Sequence, residues 1–224
     1  MIMNKTLLVM PLILLSISSV SSNDDEIIGQ TPGCMMSDYT LADKSDYVLP
    51  FPIGKEYTVT QGNCGLHTHR SEYNLRFSYD FPIPIGGDIT AVRNGEVINL
   101  DEQFPNDTND HSQTNWIGIK HEDGTIAVYL HLNTKGVFVE IGDEVKQGEI
   151  IGISGSSGYT EYRPHLHFHI TEKEHDTCQL SLHEQPNTSK YSLKGCKTIP
   201  ITFKNAEPQD TPPIQGKIYK AVTF

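Results

Sequence analysis

The chain has 224 residues, four cysteines and a formal charge of −11, from 17 basic and 28 acidic side chains. That length suffices for one well-buried domain with a small appendage. The acidic balance, with no basic cluster, excludes an electrostatic grip on nucleic acid or on anionic membranes.

Lys5, the apolar run over residues 7–15 and the small-x-small triplet Ser19-Val20-Ser21 form the pattern of an export signal spanning residues 1–22. Nine positions are too few to cross a bilayer, and no later stretch approaches 18, so no stable membrane insertion is expected after cleavage. The expected address is secreted, periplasmic or extracellular. Residues 23–45 are polar and irregular and read as a flexible lead-in to a domain over 46–206, with 207–224 as a C-terminal tail. In an oxidising compartment Cys34, Cys64, Cys178 and Cys196 make two disulfides rather than a zinc site, since none stands in a Cys-x-x-Cys pair. Three pairings are open. Cys178–Cys196 is the expected one because it closes a polar loop within 171–197, which leaves Cys34–Cys64 to tie the lead-in to the domain.

From Tyr57 onward short apolar alternations are separated by turn residues, with almost no helical periodicity. Phe77-Ser78-Tyr79-Asp80-Phe81 alternates strictly, which sets Ser78 and Asp80 on the face opposite the aromatics. Asn94-Gly95 predicts a hairpin between residues 89–92 and 96–100. A second hairpin is expected around Glu122-Asp123-Gly124, joining 116–120 to 125–132. In its second strand His131 shares a face with Tyr129 and opposes Val128, Leu130 and Leu132. Residues 137–141 and 149–154 continue the pattern, and the serine-rich segment 152–158 reads as a tight turn placing the next strand. Thr198-Ile199-Pro200-Ile201-Thr202-Phe203 reads as a last strand, at a sheet edge because Pro200 has no N–H. Asn106-Asp107-Thr108 and Asn187-Thr188-Ser189 match the N-glycosylation acceptor. The predicted class is all-β, an antiparallel sandwich or barrel-like domain.

The segment with most chemistry is Pro164-His165-Leu166-His167-Phe168-His169-Ile170. As a strand it turns Leu166, Phe168 and Ile170 to a core and stands three imidazoles in a row on the other face, about 7 Å apart. Neutral imidazole is the commonest protein metal ligand and a proton carrier near neutral pH. Upstream, His67 and His69 lie on a glycine-marked loop, and Asp80 stands in a strand where aspartate is disfavoured unless it has a task, such as holding a metal.

Four matches in one order resemble the lysostaphin-like (LytM-type) zinc metallopeptidases. They are Thr68-His69 followed by Tyr79-Asp80-Phe81-Pro82, the segment Ala91-Val92-Arg93-Asn94-Gly95-Glu96-Val97, the strand Tyr129-Leu130-His131-Leu132, and Gly142-Asp143 leading through Gly152 to His165-Leu166-His167-Phe168. The resemblance covers about residues 57–205. It implies an antiparallel LytM-type fold with a groove that carries one zinc ion per chain. By position it makes His69, Asp80 and His167 the metal ligands, and His131 and His165 the catalytic histidines. Three nitrogen and oxygen ligands with an open corner is the arrangement of catalytic zinc. Many members place the first histidine four residues before the aspartate, where this chain has Arg76. The match is to longer-loop members, with His69 as first ligand and His67 as its rival. The family pattern gives His169 no fixed role, and a place behind the metal or at the groove rim is expected.

The resemblance also implies the reaction, hydrolysis of peptide bonds in the cross-links or stems of bacterial cell-wall peptidoglycan. Two other readings fit the same segments: a non-catalytic domain of this fold that regulates another wall hydrolase, and a zinc peptidase for glycine-rich exported proteins. A serine mechanism has no Gly-x-Ser-x-Gly elbow to support it.

Overall fold

The computed structural model describes residues 34–65, 67–70, 74–173, 179–180, 193–194 and 196–224. The export signal, the start of the lead-in, the Cys178–Cys196 pairing and the Asn187 acceptor lie outside the described residues. The described chain is all-β. In order the strands are β1 (Glu56–Thr58), β2 (Ser78–Phe81), β3 (Asp88–Thr90), β4 (Gly95–Asp101), β5 (Trp116–Lys120), β6 (Ile126–Leu130) and β7 (Leu132–Val137). There follow β8 (Glu144–Val145), β9 (Ile150–Ser154), β10 (Leu166–Thr171), β11 (Gln179–Leu180), β12 (Leu193–Lys194), β13 (Ala206–Glu207) and β14 (Ile218–Ala221). Among the described residues no helix is long and apolar enough to cross a membrane.

The largest sheet has six strands in the order β2-β10-β6-β5-β4-β8, and every pair in it is antiparallel. Alternation divides its two faces. One face contributes Tyr79, Phe81, Leu166, Phe168, Ile170, Ala127, Tyr129, Ile117 and Ile119 to the main core. The sheet β3-β9-β7 adds Ile89, Ile151 and Leu132 to that core, and β14 adds Tyr219 and Ala221. The opposite face carries Ser78 and Asp80 on β2, His167 and His169 on β10, and a smaller apolar cluster of Val128, Leu130 and Trp116. Burial of Phe168 on one side thus fixes the histidines on the other. Slipping β10 by one residue would bury imidazoles in the core and expose phenylalanine.

The register meets the site directly. Across β2 and β10, His167 stands opposite Asp80 and His169 opposite Ser78. Opposed residues of this kind have Cβ atoms about 4.5–5.5 Å apart, so pairing alone brings the imidazole to the carboxylate.

Four expectations change. Asn94-Gly95 does not join two paired strands: β3 pairs with β9, while β4 pairs with β5 and β8. Neither residue has the positive φ that a two-residue hairpin turn demands. Gly95 instead sits where a Cβ would collide with the Lys120 carbonyl oxygen, and the Asn94 carbonyl accepts the His121 Nδ1–H at 2.9 Å. Among the described residues, 198–203 form one bridge, Thr171 to Thr198, because Pro200 offers no donor to extend the ladder. Their Ile201 and Phe203 still enter the core.

The lead-in is packed from Cys34 onward. Two short 3-10 helices, Met36–Asp38 and Ala42–Lys44, flank the buried Tyr39, and a Cys34–Cys64 disulfide fastens the segment to the loop after β1. The stretch 207–224, expected as a C-terminal tail, packs onto the domain through β13 and β14. β14 pairs with β1, Tyr219 opposite Tyr57, and closes the core beneath the groove.

Candidate metal centre and groove

Three elements supply three convergent donor atoms. Asp80 comes from β2, His167 from β10 and His69 from the loop after β1. His167 Nδ1 lies 2.9 Å from Asp80 Oδ1, His69 Nε2 lies 3.4 Å from the same oxygen, and the two nitrogens are 3.3 Å apart. All three residues are buried. The corners of a tetrahedron around zinc, with bonds of about 2.0–2.1 Å, lie about 3.3 Å apart. The donor set and its spacing therefore fit a zinc ion with one corner left for a fourth ligand.

The tautomers agree. The Gly62 carbonyl, 3.1 Å from His69 Nδ1, can only accept, so Nδ1 carries the proton and the Nε2 lone pair faces the cluster. Asp80 is held at its other oxygen by Gln61 Nε2, which donates at 2.7 Å and also reaches Thr68 Oγ1. Burial opposes the charge of Asp80, yet the facing His69 and His167 outweigh it and hold the carboxyl well below the usual carboxylate range. His167 is lowered by burial against the pull of Asp80.

His67 is elsewhere. It is exposed, 3.8 Å from Glu161 at the rim, so the structure brings His69 and not its rival to the cluster.

His131 and His165 stand next to the three donors, with ring centroids 4.7 Å apart and His131 6.1 Å from His167. Their Nδ1–H groups donate to the carbonyls of Ser157 and Arg163, each at 2.8 Å, which leaves both Nε2 atoms for other work. Burial, reinforced by His165 and His167, pushes the His131 imidazole well below its usual range. His131 reaches this face by breaking the strand. Its φ of +67 separates β6 from β7 and shifts the alternation by one. Tyr129 and Leu132 consequently share the core, and His131 leaves the face of Tyr129 on which regular alternation had placed it. His169 is not at the rim: it is fully buried behind His167, its Nδ1 3.0 Å from His167 Nε2.

The serine-rich turn does more than place a strand. Asn106 accepts the Ser156 N–H, Thr108 Oγ1 accepts that of Gly158, and Asn109 accepts that of Glu161. This clamp holds the Ser157 carbonyl against His131. Gly158 has φ +79 and no room for a side chain beside Thr114 and His131. Asn106 also donates to Asn133 Oδ1 at 2.6 Å, so both ends of its amide serve the fold rather than a glycan. Nothing in the local sequence pattern marks Gln61, Gly62, Ser157 or Asn115 for these tasks, because each acts through contacts between distant loops.

Asn115 locks the base of the clamp. Its buried side chain accepts the Phe104 N–H and donates to the Phe104 and Leu132 carbonyls, while its own N–H reaches Ser157 Oγ. Replacing it by alanine leaves those buried groups unpaired, and each costs about 1–3 kcal/mol. Urea denaturation of Asn115→Ala is expected to show a loss of about 3 kcal/mol. A loss below about 1 kcal/mol would mean that the amide is not the lock.

A groove of about 1010 Å³ opens over Asp80, His131, His165 and His167. Tyr39 and Cys64 line one wall, Tyr159 and Glu161 another, and Pro213 and Gln215 from the C-terminal segment a third. His111 stacks on Tyr159 at 4.4 Å along the rim.

Residues 76–178 match the model of Peptidase family M23. An uncharacterized metalloprotease of Buchnera aphidicola subsp. Baizongia pistaciae is 36% identical over 124 residues, 54% of this chain and 30% of that protein. Lysostaphin of Staphylococcus staphylolyticus is 32% identical over 120 residues, 53% of this chain and 20% of that protein. The peptidoglycan DD-endopeptidase ShyC of Vibrio cholerae is 29% identical over 123 residues, 55% of this chain and 24% of that protein. The match spans less than a third of each relative's length.

Proposed function

The chain carries a peptidase M23 domain of the lysostaphin and LytM type, and from that premise we propose that it is an exported, zinc-dependent endopeptidase acting on bacterial cell-wall peptidoglycan. The observation that carries this reading is the convergence of His69, Asp80 and His167 beside His131 and His165, with all but the fully buried His69 lining one groove.

His69, Asp80 and His167 would hold the ion. Zinc, when bound, polarises the scissile carbonyl and brings the pKa of a bound water to about 7. The chain's residues do the rest. A peptide lying in the groove presents its carbonyl above the histidine row, and the groove walls keep it extended. Water adds its oxygen to the carbonyl carbon, the carbon–nitrogen bond breaks, and a proton from the water passes to the departing amine. The Nε2 atoms of His131 and His165, with their Nδ1 atoms committed to carbonyls, are placed to take and return that proton and to stabilise the tetrahedral oxyanion.

The test is release of soluble peptides from purified wall sacculi by the zinc-loaded protein. Inertness toward sacculi with cleavage of glycine-rich peptides would move the substrate to exported proteins. Absence of both, with zinc bound, would favour a regulatory domain. A paired substitution checks the first ligand: His69→Ala is expected to lose zinc and His67→Ala to keep it, measured as metal per chain after desalting. The reverse result would transfer the role to His67.

A further inference from the structure

Backbone carbonyls dictate the tautomers of three imidazoles at the site: Gly62 that of His69, Ser157 that of His131 and Arg163 that of His165. A carbonyl only accepts, so each of these rings has one arrangement. His167 is turned the other way. Its Nδ1 faces Asp80 and His69, and its Nε2 faces another imidazole, His169 Nδ1, at 3.0 Å. An imidazole nitrogen can donate or accept, so this contact fixes His167 only if His169 is itself fixed.

We propose that His169 is the positioning residue of the metal centre: its Nδ1 accepts the Nε2–H of His167, keeping the His167 Nδ1 lone pair on the ion, and its own Nε2–H is directed toward the opposed Ser78. The inference rests on the zinc reading given above. Two observations carry it besides the 3.0 Å contact. His169 Nε2 and Ser78 Oγ are both buried and, among the described residues, both lack a hydrogen-bond partner. They also belong to directly opposed residues, on the face that carries Asp80 and His167. No direct bond joins the two atoms, and one trapped water between the facing side chains would satisfy both.

The setting argues against a merely structural histidine. On its other flank His169 pairs with Val128, and Leu130 and Trp116 share that apolar cluster. An apolar side chain would suit this site, and burying an imidazole there costs desolvation unless its nitrogens are used. Its use is direction. Partners of this kind, which orient a ligand without touching the ion, are worth about 10–100-fold in metal affinity.

Chelator-competition titration of zinc into wild type, His169→Leu and His169→Asn tests this. Leucine removes the acceptor and is expected to weaken zinc by about 10–100-fold. Asparagine offers Oδ1 where Nδ1 stood and is expected to restore affinity to within about threefold of wild type, a loss well under that range. Equal affinity in His169→Leu, with wild type binding zinc, would overturn the positioning role alone. A wild type that binds no zinc would overturn the metal reading and this inference with it. Long-range proton–nitrogen NMR on the zinc-loaded wild type needs no variant. It should find both His167 and His169 protonated at Nε2, and a proton on His169 Nδ1 would refute the proposal.

Discussion

Asp80→Ala and His167→Ala are expected to lose bound zinc and peptide hydrolysis together. Each side chain supplies one of the three convergent donor atoms, and the two stand 2.9 Å apart across paired strands. Removing either leaves two donors, and affinity should fall by more than the roughly 100-fold attributed to groups that only orient ligands. The polarisation a metal provides is worth several kcal/mol, so turnover should drop by about 10³-fold or more. Asp80→Asn is the sharper variant. It keeps the shape and the Gln61 contact region but removes the charge, so an intact fold with weak zinc would tie the loss to ligation. Metal analysis on the purified proteins decides the matter. Full occupancy in either alanine variant would remove that residue from the ligand set.

His131→Ala is expected to behave differently, keeping zinc while losing about 10²–10⁴-fold in kcat, the usual share of a positioned acid or base. The ring is 6.1 Å from His167, centroid to centroid, and lies outside the donor triangle. Backbone strain complicates alanine here, because φ is +67 and a side chain with no local polar partner resists that region. His131→Asn tolerates the conformation, removes the imidazole and should show the same split of low kcat with metal retained. Normal turnover in the asparagine variant would take His131 out of the chemistry.

Much of the site was legible in the sequence because β-strands write their geometry as alternation. Phe77 to Phe81 and Leu166 to Ile170 each announce one apolar and one polar face, and the structure pairs those strands so that Asp80 meets His167. The rest was hidden for identifiable reasons. A left-handed backbone at a histidine leaves no mark in composition, so the reversal of phase at His131 could not be read. The Asn94-Gly95 dipeptide carried the right turn chemistry, but distant β9 outcompeted the adjacent strand for β3. Gln61 and Gly62 precede the first histidine, and only their folded contacts, Gln61 with Asp80 and the Gly62 carbonyl with His69, tie them to the centre. The stretch from 207 read as a C-terminal tail because β14 is only four residues long and its partner, β1, lies far away in the chain.

The disulfide has a mechanical corollary. Cys34 and Cys64 are 30 residues apart and their bond lies beside the loop that runs from Gln61 to His69. Closing such a loop is worth about 2–4 kcal/mol. That tether acts at the lip of the cleft, in a small cluster with Tyr39 and Phe77 that is separate from the main core. Thiol treatment should accordingly raise hydrogen exchange and protease nicking along the lip first, while the central strands keep their protection until global unfolding.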